Sequence, residues 1–199
     1  MQETNQNTQE KNTGGSKPVS GTKRLVMMAV LAALSIVFVA IIHFPIFPAA
    51  PFLEYDPADI PVLIGAFAFG PVAGICIAIV ASIIQGFTVS AASGIYGIIM
   101  HIIATGVYVL VAACIYKKLK TKKGAALALV IGVICAVIVM AGANMVITPI
   151  FMGVPASAVK GMLLPVIIPF NLIKLGVNGI ITFLVYKRCS ILISKFGAK

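Results

Sequence analysis

Four long apolar runs dominate the chain, at residues 25–44, 95–116, 125–147 and 166–186. Each can cross a hydrocarbon layer of roughly 30 Å at about 1.5 Å per residue. After the first run comes a polar, proline-rich stretch, "PIFPAAPFLEYDPADIP". Next is "VLIGAFAFGPVAGICIAIVASIIQGF" (62–87), interrupted at Gly70-Pro71. This segment admits two readings, one kinked helix or a tight hairpin of two short helices. Residues 1–22 are polar and rich in Gly, Ser, Asn and Gln, which predicts a disordered tail. They are not a secretory signal, because the apolar run comes late and lacks a clear small-residue cleavage site.

Charge placement decides between the two readings. Lys23 and Arg24 precede the first run, "KKLKTKK" (117–123) joins the runs at 95–116 and 125–147, and "KRCSILISK" follows the last. A single crossing by 62–87 would put "KKLKTKK" outside, against the tendency of Lys and Arg to stay on the cytoplasmic side. Two crossings put that loop and both termini inside. The expected architecture is an all-α membrane protein of six transmembrane helices with cytoplasmic N- and C-termini. Residues 1–22 form the cytoplasmic tail and 23–199 one transmembrane domain. Lys160 and Lys174 are then the only basic residues off the cytoplasmic side, and Glu54, Asp56 and Asp59 fall in the first outer loop.

Composition narrows the function. Sixty per cent of the residues are hydrophobic and ten per cent charged, where a soluble domain carries about 25% charged. The 199 residues fill one helical bundle and leave no room for a soluble catalytic domain. There is no GxxxxGK[ST] phosphate loop and no HExxH, and no serine has an evident base partner, so an enzyme is not expected. Cys76, Cys114, Cys135 and Cys189 are scattered, reading as small packing residues rather than a metal site or disulfide framework. The net charge of +10 does not point to nucleic acid, because the basic residues flank apolar spans, as contact with the headgroups of a lipid bilayer requires.

The candidate chemistry sits in the sixth helix, "PFNLIKLGVNGIITFLVYKR" (169–188). Asn171, Lys174 and Asn178 are spaced i, i+3, i+7 and share one helix face. Lys174 lies roughly 12 Å from the outer end, a strained reach for a snorkelling lysine. Unsatisfied polar groups are costly in lipid, so this face should point into the bundle. Asn144, on the fifth helix, sits at a similar depth. Glu54, Tyr55 and Asp56 belong to the outer loop above it, with Asp59 reading as a cap for the second helix. Gln85 adds a polar group at the end of the third helix. His101 reads as a packed, hydrogen-bonded residue and His43 as interfacial. Together these features predict a pocket open to the outside, floored by the fifth and sixth helices and lidded by a partly ordered first outer loop. A self-sufficient secondary carrier is the rival, disfavoured because such carriers usually bury carboxylates, whereas here every acid lies in the tail or the first loop.

At these residues the chain resembles a known family. "PFLEYDPADIPVLIGAFAFGPVAG" (51–74), "NMVITPIFMGVP" (144–155) and "IIPFNLIKLGVNGIITFLVYKR" (167–188) are similar to the riboflavin-specific substrate-binding (S) components of energy-coupling factor (ECF) transporters. The resemblance implies six helices, no ATPase in this chain, and high-affinity capture of a vitamin outside. Delivery then depends on a transmembrane T component and two cytoplasmic ATPases in the cell membrane. It implies no cofactor, riboflavin being the transported substrate. Carried over by position, it places Asn144, Asn171 and Lys174 on the vitamin with the first loop covering it. It also makes Ala29-xxx-Ala33 the surface that docks on the T component. The stretch "QGFTVSAASGIYGIIMH" (85–101) departs from the riboflavin-specific pattern, which leaves pantothenate or another vitamin open.

Overall fold

The computed structural model describes residues 21–197, with side chains to residue 189. The expected tail at 1–22 thus lies outside the described residues except for Gly21 and Thr22, which open the first helix. The chain is mostly helical: α1 (Gly21–Ile41), α2 (Asp59–Phe69), α3 (Pro71–Phe87), α4 (Gly94–Lys118), α5 (Lys122–Met152), α6 (Ala156–Met162) and α7 (Ile168–Gly197). Among the described residues four segments are long and apolar enough to cross a membrane: Gly21–Ile41, Ala91–Lys118, Lys122–Met152 and Ala156–Cys189. The protein is therefore a multi-pass membrane protein.

The 62–87 stretch is a hairpin, not a kinked helix. Gly70 takes φ 94° and ψ 171°, a conformation open to glycine and strained for other residues. Pro71 then starts α3, where its missing N–H costs nothing. The two helices fold back on each other, Gly65 facing Ile77 and Gly74 facing Ala66, without room for a Cβ at either glycine.

Loop 1, residues 42–58, is packed rather than draped. Its two-residue strands β1 (Phe44–Pro45) and β2 (Glu54–Tyr55) pair antiparallel. Ala50 and Leu53 are buried with Val159, Ile167 and Phe170. The partner of that cluster was not foreseen. Short α6 and a π-helical turn at Leu163–Ile167 come before α7, where the pattern predicted the sixth helix to begin. Pro165, within this widened turn, and Pro169, just after it, each remove a ladder donor.

The two ends of the bundle differ. At one end the start of α1 meets the end of α2, Arg24 donating to the Phe69 carbonyl at 2.9 Å. Phe67, Tyr116 and Tyr186 cluster there with ring centroids 4.4–5.8 Å apart. Lys117 and Lys120 stand beside Arg24, so this is the basic end. In the core, fully buried Tyr108 of α4 is received by Gly132 of α5 and Gly179 of α7. Loop 1 lies at the opposite end.

Candidate functional site

Beneath loop 1 lies a cavity of about 130 Å³, roughly tenfold more than a single buried water needs. It is walled by α3, α4, α5, α7 and loop 1, with Asp59 at the start of α2. Of the predicted residues, Asn144, Asn171, Lys174, Glu54, Asp56 and Gln85 line it. Tyr55 and Asn178 stand behind the wall.

The α7 face forms as its spacing required, and the partner of Lys174 is internal. Its Nζ lies 2.7 Å from Asp56 Oδ2 and 3.4 Å from the Glu54 carbonyl oxygen. The Lys174 side chain is 11% exposed and that of Asp56 3%, so the lysine does not snorkel. The Lys174 ammonium and the Asp56 carboxylate are thus paired out of water, each charge answered by the other. Asn178 is the clamp beneath this pair. It donates to the Asp56 carbonyl at 2.9 Å and to Asp59 Oδ2 at 2.8 Å, and its Oδ1 accepts from the Tyr55 hydroxyl at 3.1 Å. Both amide hydrogens are spent on fixing loop 1 and α2 to α7.

Asp59 corrects a sequence expectation. It does not cap α2, whose start has no side-chain cap. It is buried, accepting from Thr105 Oγ1 at 2.6 Å as well as from Asn178. The acids are therefore not confined to solvated loops, since Asp56 and Asp59 are both buried. That removes one argument against a carrier, although these two are held by Lys174, Thr105 and Asn178.

Asn144 and Asn171 are each tied to their own backbone, through Nδ2 to the Met140 and Ile167 carbonyls at 2.8 Å. Thr148 donates to Asn144 Oδ1 at 2.8 Å. Such ties fix the amide orientation while both side chains line the cavity. Gln85 donates to Ser90 Oγ at 3.3 Å and leaves Oε1 without a partner among the described residues.

Several wall residues were not legible as site residues. His101, expected to be packed and satisfied, lines the cavity with Ser82 and Thr105. Its Nε2 is buried without a hydrogen-bond partner among the described residues. Phe151 meets Phe52 and Tyr96, each at 5.9 Å between ring centroids, in an aromatic corner. These rings come from three distant segments, and no spacing joins them. His43 stays outside the cavity, exposed at the start of loop 1 with Nδ1 3.0 Å from the Val39 carbonyl oxygen. Ala29 and Ala33 are exposed on α1 among Leu25, Val26, Val30 and Leu34.

A helical membrane bundle with a cavity at one end, lined by polar, aliphatic and aromatic side chains, has the form of a small-molecule-binding membrane protein. Comparison with known proteins sharpens this. A profile of the family "ECF transporter, substrate-specific component" matches residues 23–186. The riboflavin transporter FmnP of Bacillus subtilis is 33% identical over 76% of this chain and 84% of its own length. The riboflavin transporter RibU of Staphylococcus aureus is 33% identical over 83% of this chain and 89% of its own. A solved structure of the S component of a bacterial ECF transporter superposes with a TM-score of 0.75 at 32% identity, covering 86% of this chain and 98% of that one. The chain belongs to the substrate-specific components of ECF transporters, and its family is a transporter component, not an enzyme family.

Proposed function

We infer that this chain is the riboflavin-binding S component of an ATP-driven ECF transporter in the bacterial plasma membrane. It captures the vitamin from outside and delivers it inward together with a T component and two cytoplasmic ATPases. The observation that carries the choice of substrate is the charge of the cavity wall. Glu54, Asp56 and Asp59 line it against the single ammonium of Lys174, and that ammonium is already paired with Asp56. Such a wall repels an anion. Riboflavin is uncharged, whereas its phosphate ester and pantothenate are anionic. The riboflavin ring is flat, which suits the corner of Phe52, Tyr96 and Phe151. The relatives named riboflavin transporters support the same choice.

In this reading Asn144, Asn171, Lys174, Glu54, Asp56 and Gln85 touch the vitamin, and Tyr55 and Asn178 hold loop 1 in place as the lid. Six crossings follow if α2 and loop 1 share one. Helix α2 has eleven residues, about 16 Å, or half the hydrocarbon. The buried segment 53–58 fills the rest, as irregular backbone can where protein covers it. The basic end is then cytoplasmic, with both termini. Ala29 and Ala33, exposed on α1 toward that end, form the surface for a T-component helix.

The test is the absorbance spectrum of protein purified in detergent from flavin-containing cells. A flavin band near one per chain is expected, and a colourless protein that ignores added riboflavin would refute the reading. Topology is checked separately. A cysteine at Ala49 should label only from outside and one at Lys120 only from the cytoplasm. The reverse would overturn the orientation.

A further inference from the structure

The α3–α4 side of the cavity holds two buried polar atoms with no hydrogen-bond partner among the described residues, His101 Nε2 and Gln85 Oε1. The surroundings of the imidazole determine what Nε2 is. His101 Nδ1 lies 2.8 Å from Ser82 Oγ, and the same Oγ lies 2.7 Å from the Ala78 carbonyl oxygen. A carbonyl only accepts, and a serine hydroxyl has one hydrogen. Ser82 therefore donates to Ala78 and accepts from His101 Nδ1–H. A neutral imidazole carries one N–H, so in that form Nε2 keeps its lone pair as an acceptor, on a side chain that lines the cavity. Asp56 Oδ1, 4.0 Å away, is itself an acceptor and takes the Ala58 N–H at 3.0 Å. A donor reaching both acceptors would satisfy them together.

We propose that His101 reads the substrate: held by Ser82 in its Nδ1–H form, it accepts at Nε2 a hydrogen bond from an N–H or O–H of the vitamin. It thereby selects for a substrate that donates at that position. The inference rests on the riboflavin reading, because riboflavin's donors are its ring imide N–H and its ribityl hydroxyls. It also gives the two walls different tasks. On α7, Lys174 donates; across the cavity, His101 and Gln85 accept.

The experiment is a flavin-fluorescence titration of the purified full chain with three probes. These are riboflavin, 3-methylriboflavin, which lacks the imide N–H, and lumiflavin, which lacks the ribityl hydroxyls. His101→Ala should bind riboflavin about ten- to a hundredfold more weakly, the loss of a buried partner left unpaired. His101→Gln, which sets an amide oxygen near the Nε2 position, should recover most of it. For the one analogue lacking the donor that His101 reads, wild type and His101→Ala should bind alike. Equal weakening of His101→Ala toward all three flavins, or none toward any, overturns the proposal. Thermal unfolding identifies a His101→Ala protein that has lost its fold. In that event Ser82→Ala, which frees the tautomer but keeps Nε2, decides: it should show a smaller loss with the same analogue dependence, and its absence overturns the proposal equally. Wild type that quenches no flavin would instead sink the riboflavin reading, and this inference with it.

Discussion

Helices α4, α5 and α7 meet in two different ways along their length. Toward the basic end they meet through small residues: Gly132 and Gly179 receive Tyr108, and Ala112, Ala128 and Ala136 are buried around it. Toward loop 1 the same helices present Asn144, Thr105, His101, Asn171 and Lys174 to a cavity. Lipid is as apolar as leucine, so apolar packing in the first region gains mainly dispersion contacts from close approach. Polar groups in the second region must be satisfied by one another or by a ligand. One region therefore sets stability through shape, and the other couples stability to binding through hydrogen bonds and charge.

Substitutions should separate the two. The largest effect is expected at the ion pair. Lys174→Ala leaves the Asp56 carboxylate buried and unpaired, which should cost about 3–5 kcal/mol and abolish tight flavin binding. Lys174→Ala with Asp56→Ala should recover much of the stability but not the binding. Thermal unfolding and flavin titration check both, and an unchanged unfolding temperature in the single variant would mean that Asp56 is solvated. Asn178→Ala comes next. It strips donors from Asp59 and from the Asp56 carbonyl, at about 1.5–3 kcal/mol, and should expose loop 1 to proteolysis; a loop 1 as resistant as wild type would contradict its role as clamp. Gly132→Val acts in the other region by crowding Tyr108, at about 1–3 kcal/mol. It should lower the unfolding temperature while the folded fraction keeps its flavin affinity. A large affinity loss there would blur the division. The smallest effect on capture is expected at α1. Ala29→Trp with Ala33→Trp should hold flavin affinity within about tenfold, or about 1.4 kcal/mol, yet lose co-purification with the T component. Continued assembly would return these alanines to the lipid-facing surface.

Parts of this division were legible in the sequence. The Asn171, Lys174, Asn178 spacing placed three polar groups on one face of α7 before any fold was known. Gly70-Pro71 and the basic loop at 117–123 together identified the hairpin, because charge resolved what periodicity left ambiguous. The partner of Lys174 was not legible, since Asp56 lies 118 residues away and pairing across that distance leaves no periodic trace. Asp59 read as a helix cap because an acid just before an apolar run is the ordinary cap signal. His101 read as packing because a single histidine carries no spacing information. Its role depends on Ser82, one helix away, and on an empty volume that no sequence pattern reports. Segment α6 and the π turn were missed because "GMLLPVIIP" is apolar throughout and its prolines read as the start of one helix.

The central claim is that the loop-1 end is built for an uncharged, flat, hydrogen-bonding vitamin. Its most direct test is a paired titration of the purified protein, followed by flavin fluorescence, with riboflavin and with its phosphate ester. The two probes share ring and ribityl chain and differ in the phosphate, so the comparison isolates charge. Riboflavin should quench to one equivalent per chain, and the phosphate ester should bind at least about tenfold more weakly, a difference of about 1.4 kcal/mol. Equal affinity for both, or tighter binding of the phosphate ester, would contradict the account.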